Sequence, residues 1–178
     1  GSFYHGNSGQ DVAVDVKNFG SVGLPSTPIT LWELHSQFDW EGLQLRGLFS
    51  MSHIGDAASL TRALRPNAQG GIGEIGAGDA VGSEMLGAYG EAAYDLLHWL
   101  FPGSSMSLSP FVRYEYVDTQ FDVPSGFQDD GANLARVLTT GLSFKPHPNV
   151  VLKTDYRQFN LGSGEQADEV NVGFGLAF

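Results

Sequence analysis

The sequence contains no cysteine, which excludes disulfide staples and thiolate metal sites. Charged residues make up 16% of its 178 positions, well short of the roughly one quarter usual in soluble domains. Cations are scarcest: nine Lys and Arg face twenty Asp and Glu, for a net charge of -11. With those few cations scattered, no electrostatic footprint for nucleic acid exists. No apolar run approaches the roughly 18 residues of a transmembrane helix, since the best, Leu96 to Phe101, is interrupted by His98. Any membrane role therefore falls to strands. The chain opens at Gly1-Ser2 without a signal peptide, as expected of a mature, cloned or partial chain, and this says nothing about compartment.

What is abundant is glycine, 24 residues, and aromatics, 12%, at a mean hydropathy of -0.10. That balance excludes a disordered chain, a coiled coil and a helical bundle. The length suits one domain or about eight membrane-crossing strands with their loops.

Hydrophobicity alternates with a period of two nearly everywhere, the signature of strands with one apolar face. Val170, Val172, Phe174, Leu176 and Phe178 alternate with Glu169, Asn171, Gly173, Gly175 and Ala177. The same pattern sets Val150, Leu152 and Tyr156 against Lys153, Asp155 and Arg157, and Leu138, Leu142 and Phe144 against Thr139, Gly141, Ser143 and Lys145. It recurs with Leu108, Val112, Tyr114 and Tyr116 against Arg113 and Glu115, with Leu43, Leu45, Phe49 and Met51 against Arg46, and with Trp32, Leu34, Phe38 and Trp40 against Glu33 and His35. Glu84 to Leu100 reads as a further strand with Glu91 and Asp95 on its polar face, although Leu96, Leu97 and Leu100 also fit a helical turn. Phe3 to Ser8 is a clipped first strand, so the count is about eight.

The connections alternate in length. Trp40-Glu41-Gly42, Pro102-Gly103-Ser104 and Pro146-His147-Pro148-Asn149 are compact turns, whereas Gly9 to Pro28, Asp56 to Ser83, Gln120 to Asn133 and Leu161 to Asp168 are long and polar. Short turns at one end and long loops at the other are the build of an outer-membrane barrel. In such a barrel the apolar positions meet lipid and the polar ones line a wet lumen. Six of the nine basic residues fall on strands, while acids crowd the long connections. The pore-lining residues expected on this reading are the cations Arg46, Arg113, Arg136, Lys153 and Arg157 and the acids Glu33, Glu91, Glu115 and Asp155. Arg113 with Glu115, and Lys153 with Asp155 and Arg157, are expected to pair across neighbouring strands. Outward aromatics sort into a band of Phe38, Trp40, Phe144 and Phe178 and a band of Trp32, Tyr114, Tyr116 and Tyr156, as two lipid interfaces select.

A last strand of alternating apolar residues ending in a terminal aromatic, Val170 to Phe178, resembles the C-terminal signal of outer-membrane barrels. Pro110-Phe111-Val112-Arg113-Tyr114-Glu115, Val123-Pro124-Ser125-Gly126-Phe127 and the run from Gly141 to Tyr156 together resemble the C-terminal part of Gram-negative porins related to the phosphate-selective porins. The likeness extends through Leu43 to Leu48 and Gly87 to Tyr94. It implies an all-β, antiparallel transmembrane barrel in which residues 1–178 form part of a roughly sixteen-stranded wall. It further implies passive diffusion of small solutes or ions, an outer-membrane location among lipid and lipopolysaccharide, and handling by the barrel-assembly machinery through the strand ending at Phe178. A homotrimer is one assembly it allows. No lysine-rich phosphate ladder has a counterpart here, so no selectivity carries over. The alternatives are an autonomous eight-stranded barrel with a structural or adhesive role and a barrel enzyme.

Competing chemistry is thin. Gly71-Ile72-Gly73-Glu74-Ile75-Gly76 satisfies G-x-G-x-x-G, but no strand precedes it and Ala77-Gly78-Asp79-Ala80 is a poor helix start, so a glycine-rich outer loop is the better reading. The five histidines, His5, His35, His53, His98 and His147, lack metal-ligand spacing. His35 reads as a pore-lining donor and His147 as a turn residue. No G-x-S-x-G elbow occurs. No cofactor, metal or catalytic residue is expected. A short helix at Ala57 to Leu64 either caps the outer surface or folds into the lumen. Eight strands leave a lumen only wide enough for side chains. The chain is therefore expected not to close on itself, and pairing of Phe3 to Ser8 with the last strand would overturn that.

Overall fold

The structure is a computed structural model that describes residues 1–9, 11–16, 20–64, 80–164 and 166–177. Among these, ten strands form: β1 (Ser2–Ser8), β2 (Ala13–Val16), β3 (Gly20–Gly23), β4 (Thr27–Trp40), β5 (Leu43–Ile54), β6 (Glu84–Tyr94), β7 (Ser107–Asp122), β8 (Leu134–His147), β9 (Val150–Leu161) and β10 (Glu169–Leu176). Two α-helices accompany them, α1 (Ala57–Leu64) and α2 (Leu96–Leu100), with a short 3-10 turn at Gly131–Asn133. Eight strands make one sheet in the order β1-β4-β5-β6-β7-β8-β9-β10, and β2 and β3 make a separate hairpin. Apart from that hairpin, each strand neighbours its successor, and the pairs β1–β4, β8–β9 and β9–β10 are antiparallel.

The order leaves β1 and β10 as the two ends of an open sheet. The expected eight strands are present, and β1 lies along β4, with Phe3 opposite Trp32 and Ser8 opposite Thr27. Among the described residues, the pairing of the first strand with the last that would have marked an autonomous eight-stranded barrel is not found.

Turn chemistry explains the hairpins. Glu41 and Gly42 both have positive φ, 46° and 85°, the two-residue geometry that matches strand twist. Between β8 and β9 the register shifts between Phe144 and His147. Pro146 has no N–H for the ladder there. His147 does act in the turn, its Nδ1 accepting from the Asn149 amide at 3.3 Å.

The chain divides into two compact units, one of Gly1–Leu34, Phe49–Gly87 and Val117–Leu134, the other of His35–Leu48, Ala88–Tyr116 and Ala135–Phe178. In the first, α1 forms where expected. Buried Thr61 donates to the Ala57 carbonyl and accepts from the Val81 amide, while the Arg62 guanidinium lies 5.5 Å from the Phe127 ring centroid. Buried Gln120 donates to the Ala80 carbonyl and accepts from the Asp130 amide and from Asn133 Nδ2. Ala80 and Val81 are thus pinned from both sides. The hairpin of β2 and β3 occupies part of the connection read from sequence as an unbroken polar loop; Val14 and Val22 face each other across it.

The expected continuous strand from Glu84 to Leu100 ends at Tyr94. Asp95 caps α2: its Oδ1 accepts from the Leu97 amide and also from the Leu108 amide, each at 3.0 Å. Asp95 is therefore a helix cap, not a polar-face strand residue, and the helical reading of Leu96, Leu97 and Leu100 is the correct one.

Candidate functional site

In the second unit, the two faces of the strands carry opposite chemistry in the reverse of the soluble order. On β7, Ser109 and Phe111 are buried and Arg113 and Glu115 half-buried, while Val112 and Tyr114 are exposed. On β8, Val137 and Thr139 are buried while Leu138 and Leu142 are exposed. Val170, Val172, Phe174 and Leu176 of β10 are all exposed, Val172 to 84%. Opposed residues of an antiparallel pair share a face. Arg157 opposite Thr139 and Glu169, Asp155 opposite Gly141 and Asn171, and Lys153 opposite Ser143 and Gly173 therefore stand on the polar side.

That side holds a string of alternating charge. Arg46 Nη1 lies 3.7 Å from Glu91 Oε1, and Glu91 Oε2 lies 3.9 Å from Arg113 Nη1. Arg113 Nη2 donates to Glu115 Oε1 at 3.0 Å. Glu115 Oε2 lies 3.9 Å from Arg157 Nη2, and Arg157 Nη1 is 3.5 Å from Glu169 Oε2. Arg157 reaches from β9 to β7 over the intervening β8, where the opposed residue is only a threonine, Thr139. The Arg113 guanidinium also stacks 4.0 Å from the Tyr89 ring centroid, a contact that favours cations over aromatic faces.

Beside this string lies a cavity of about 210 Å³ whose lining includes Gln44, Arg46, Ser109, Ser143, Lys145 and Lys153. Lys153 Nζ stands 4.2 Å from the Phe111 ring centroid. The expected pairing needs correction in two respects. Arg113 and Glu115 pair along one strand, two residues apart, since both point to the same face. Asp155 takes the Asn171 amide at 3.0 Å, and Lys153 takes a ring.

Of the expected lining residues, the structure brings Arg46, Glu91, Arg113, Glu115 and Arg157 into one network and places Lys153 and Asp155 on the same face. Arg136 departs from the expectation. It opposes Asn160 and shares parity with Leu138 and Leu142, which puts it on the apolar face. There it lies 5.9 Å from the Tyr116 ring centroid and borders a shallow pocket with Tyr114 and Leu138. Glu33 belongs to the first unit, where it accepts from the Ser2 hydroxyl at 3.1 Å. Glu169 and Tyr89 were not anticipated as site residues; Glu169 was legible, being the polar-register residue that opens the last strand.

Among the described residues, no group of three or more His, Asp or Glu is placed to hold a metal. The G-x-G-x-x-G run, Asp79 and the terminal Phe178 lie outside the described residues. What the charged face can do chemically is present fixed charges of both signs to a polar medium, with three arginines balanced by three glutamates.

No protein-family model matches the chain. No solved structure matches it. It is 28% identical over 142 residues to an uncharacterized protein of Aquifex aeolicus (strain VF5), a match covering 80% of this chain. The matched stretch is 30% of the length of that relative, so the chain spans less than a third of the protein it is similar to.

Proposed function

We propose that the chain is the C-terminal part of an outer-membrane porin, contributing wall to a water-filled channel for passive diffusion of small hydrophilic solutes or ions. The observation that carries this reading is the inverted sheet: Val112, Tyr114, Leu138, Leu142, Leu152 and Tyr156 are exposed while the charged string is half-covered on the other face. In water such a face would be costly, at about 25 cal/mol for each Å² of apolar surface left wet. Against hydrocarbon it is the stable arrangement.

The open ends at β1 and β10 support a wall that continues beyond these strands. Unpaired ladder groups are intolerable in lipid, so further strands would have to complete the barrel. A relative more than three times the length of the matched stretch leaves ample chain for them. The outer-membrane setting, engagement of the assembly machinery by the last strand and a trimeric assembly belong to the same proposal. No catalysis or cofactor enters it.

Conductance of the full-length protein in planar bilayers tests the reading. Stepwise ion currents are expected, and a folded protein passing no current under any condition would overturn it.

A further inference from the structure

We infer that α2 is an interfacial anchor, seated in the headgroup region of a bilayer at the end of the sheet where the β4–β5 turn lies; this rests on the barrel reading. Trp99 is 74% exposed, and Leu100, Phe101 and Met106 are exposed beside it in the sequence. The segment is fixed. Asp95 Oδ1 holds the Leu97 and Leu108 amides, the Asp95 amide donates to the Gly42 carbonyl at 2.8 Å, and the Phe101 amide closes the helix on the Leu97 carbonyl at 2.9 Å. A Cβ at Gly42 would come within 3.1 Å of His98 Cβ, so the helix is packed directly on that turn. Five residues do not hold a helix unaided. Here the cap and the turn hold it, and what they hold out is an apolar surface without protein cover.

The occupant follows from chemistry and continuity. Trp40, exposed at the end of β4, lies two residues from Gly42 and extends the patch onto the apolar sheet face of the same unit, where Leu45, Leu142, Leu152 and Phe174 are also exposed. Rigid Trp with flanking Leu and Phe is the composition that settles at a membrane–water boundary. Residues 35–45 and 89–112 contain no Lys or Arg, while Asp39 and Glu41 flank Trp40 beside the turn on which the helix packs and Asp95 caps the helix itself. Attraction to anionic headgroups therefore plays no part, and zwitterionic lipid suffices. A five-residue helix lying flat would bury its apolar side chains at the acyl boundary rather than cross it.

The test uses nitroxide labels on Trp99→Cys, Leu100→Cys and Leu152→Cys in the full-length protein, refolded into phosphatidylcholine vesicles. Collision with oxygen and with a water-soluble nickel complex reports depth. The labels at 99 and 100 are expected at shallow depth, shallower than the label at 152. If 152 reports lipid while 99 and 100 report water, the anchor is overturned and the barrel reading stands. If all three report water, both fall. If 99 and 100 are shielded from both reagents, or broadened by spin–spin coupling, a protein surface covers the helix and the anchor is again overturned.

Discussion

The ring of Phe111 lies directly over Gly141. A Cβ built at Gly141 would sit 2.5 Å from both Cε1 and Cζ of that ring and 2.5 Å from the Thr154 carbonyl oxygen. Phe111 is 8% exposed despite standing on the polar face, and Lys153 stacks on its ring. The missing side chain is what lets an aromatic from β7 cover β8, a pairing that also serves to support glycine in sheets. Because one of the clashing atoms is backbone, Gly141→Ala is expected to destabilise by about 1–3 kcal/mol. Gly87→Ala meets nothing within 4 Å and is expected to change stability by less than about 0.5 kcal/mol. Thermal transitions followed by the mobility of unheated samples in detergent gels would compare the two.

Arg113 and Arg136 separate the two faces. Arg113 sits between Glu91 and Glu115, so Arg113→Ala leaves the string, still holding Arg46 and Arg157, with one negative charge in excess. In a KCl gradient the reversal potential is expected to move toward cation selectivity. Arg136→Ala, on the apolar face beside Tyr116, is expected to leave it unchanged. Equal shifts from both substitutions would contradict the assignment of faces.

Much of this arrangement was legible because a period of two needs no tertiary information. The alternation around Val112, Leu142, Leu152 and Val170 located the strands and their apolar face, and turn chemistry located Glu41-Gly42 and Pro148-Asn149. The same rule, applied strictly, puts Arg136 on the apolar face with Leu138, whereas its charge points to the polar one. Asp95 is ambiguous in sequence because an acid at a strand end and a helix cap look alike; the Leu97 and Leu108 amides converging on it mark the cap. The link between Arg157 and Glu115 was not legible, since it crosses β8 and depends on the small size of Thr139.

Gln120 joins three pieces of the first unit. Its amide donates to the Ala80 carbonyl and its oxygen accepts from the Asp130 amide and Asn133 Nδ2, all at a site where Gln120 is 5% exposed. Gln120→Leu preserves bulk and strands these partners, which is expected to cost about 1–3 kcal/mol for each group left unsatisfied. The loss should appear locally, as faster amide exchange across residues 123–133, with exchange in β9 unaltered. Uniform acceleration across the sheet would instead place Gln120 in the global core.

Glu115 supplies the opposite sign. It lies between Arg113 at 3.0 Å and Arg157 at 3.9 Å, and its side chain is 26% exposed. Glu115→Gln removes one negative charge and keeps the shape, so Arg113 and Arg157 retain a hydrogen-bond acceptor while their charge is no longer balanced there. If this face meets the permeating ions, the reversal potential moves toward anions, opposite to Arg113→Ala. The shift should also shrink as salt rises, because the screening length falls from about 10 Å at 0.1 M to about 3 Å at 1 M. The stability change is expected to be small, about 1 kcal/mol or less, as for partly exposed ion pairs. Opposite shifts from Arg113→Ala and Glu115→Gln, both fading with salt, would mark the charged string as the field that ions cross. A stability loss with no change in potential would leave it as a brace within the wall.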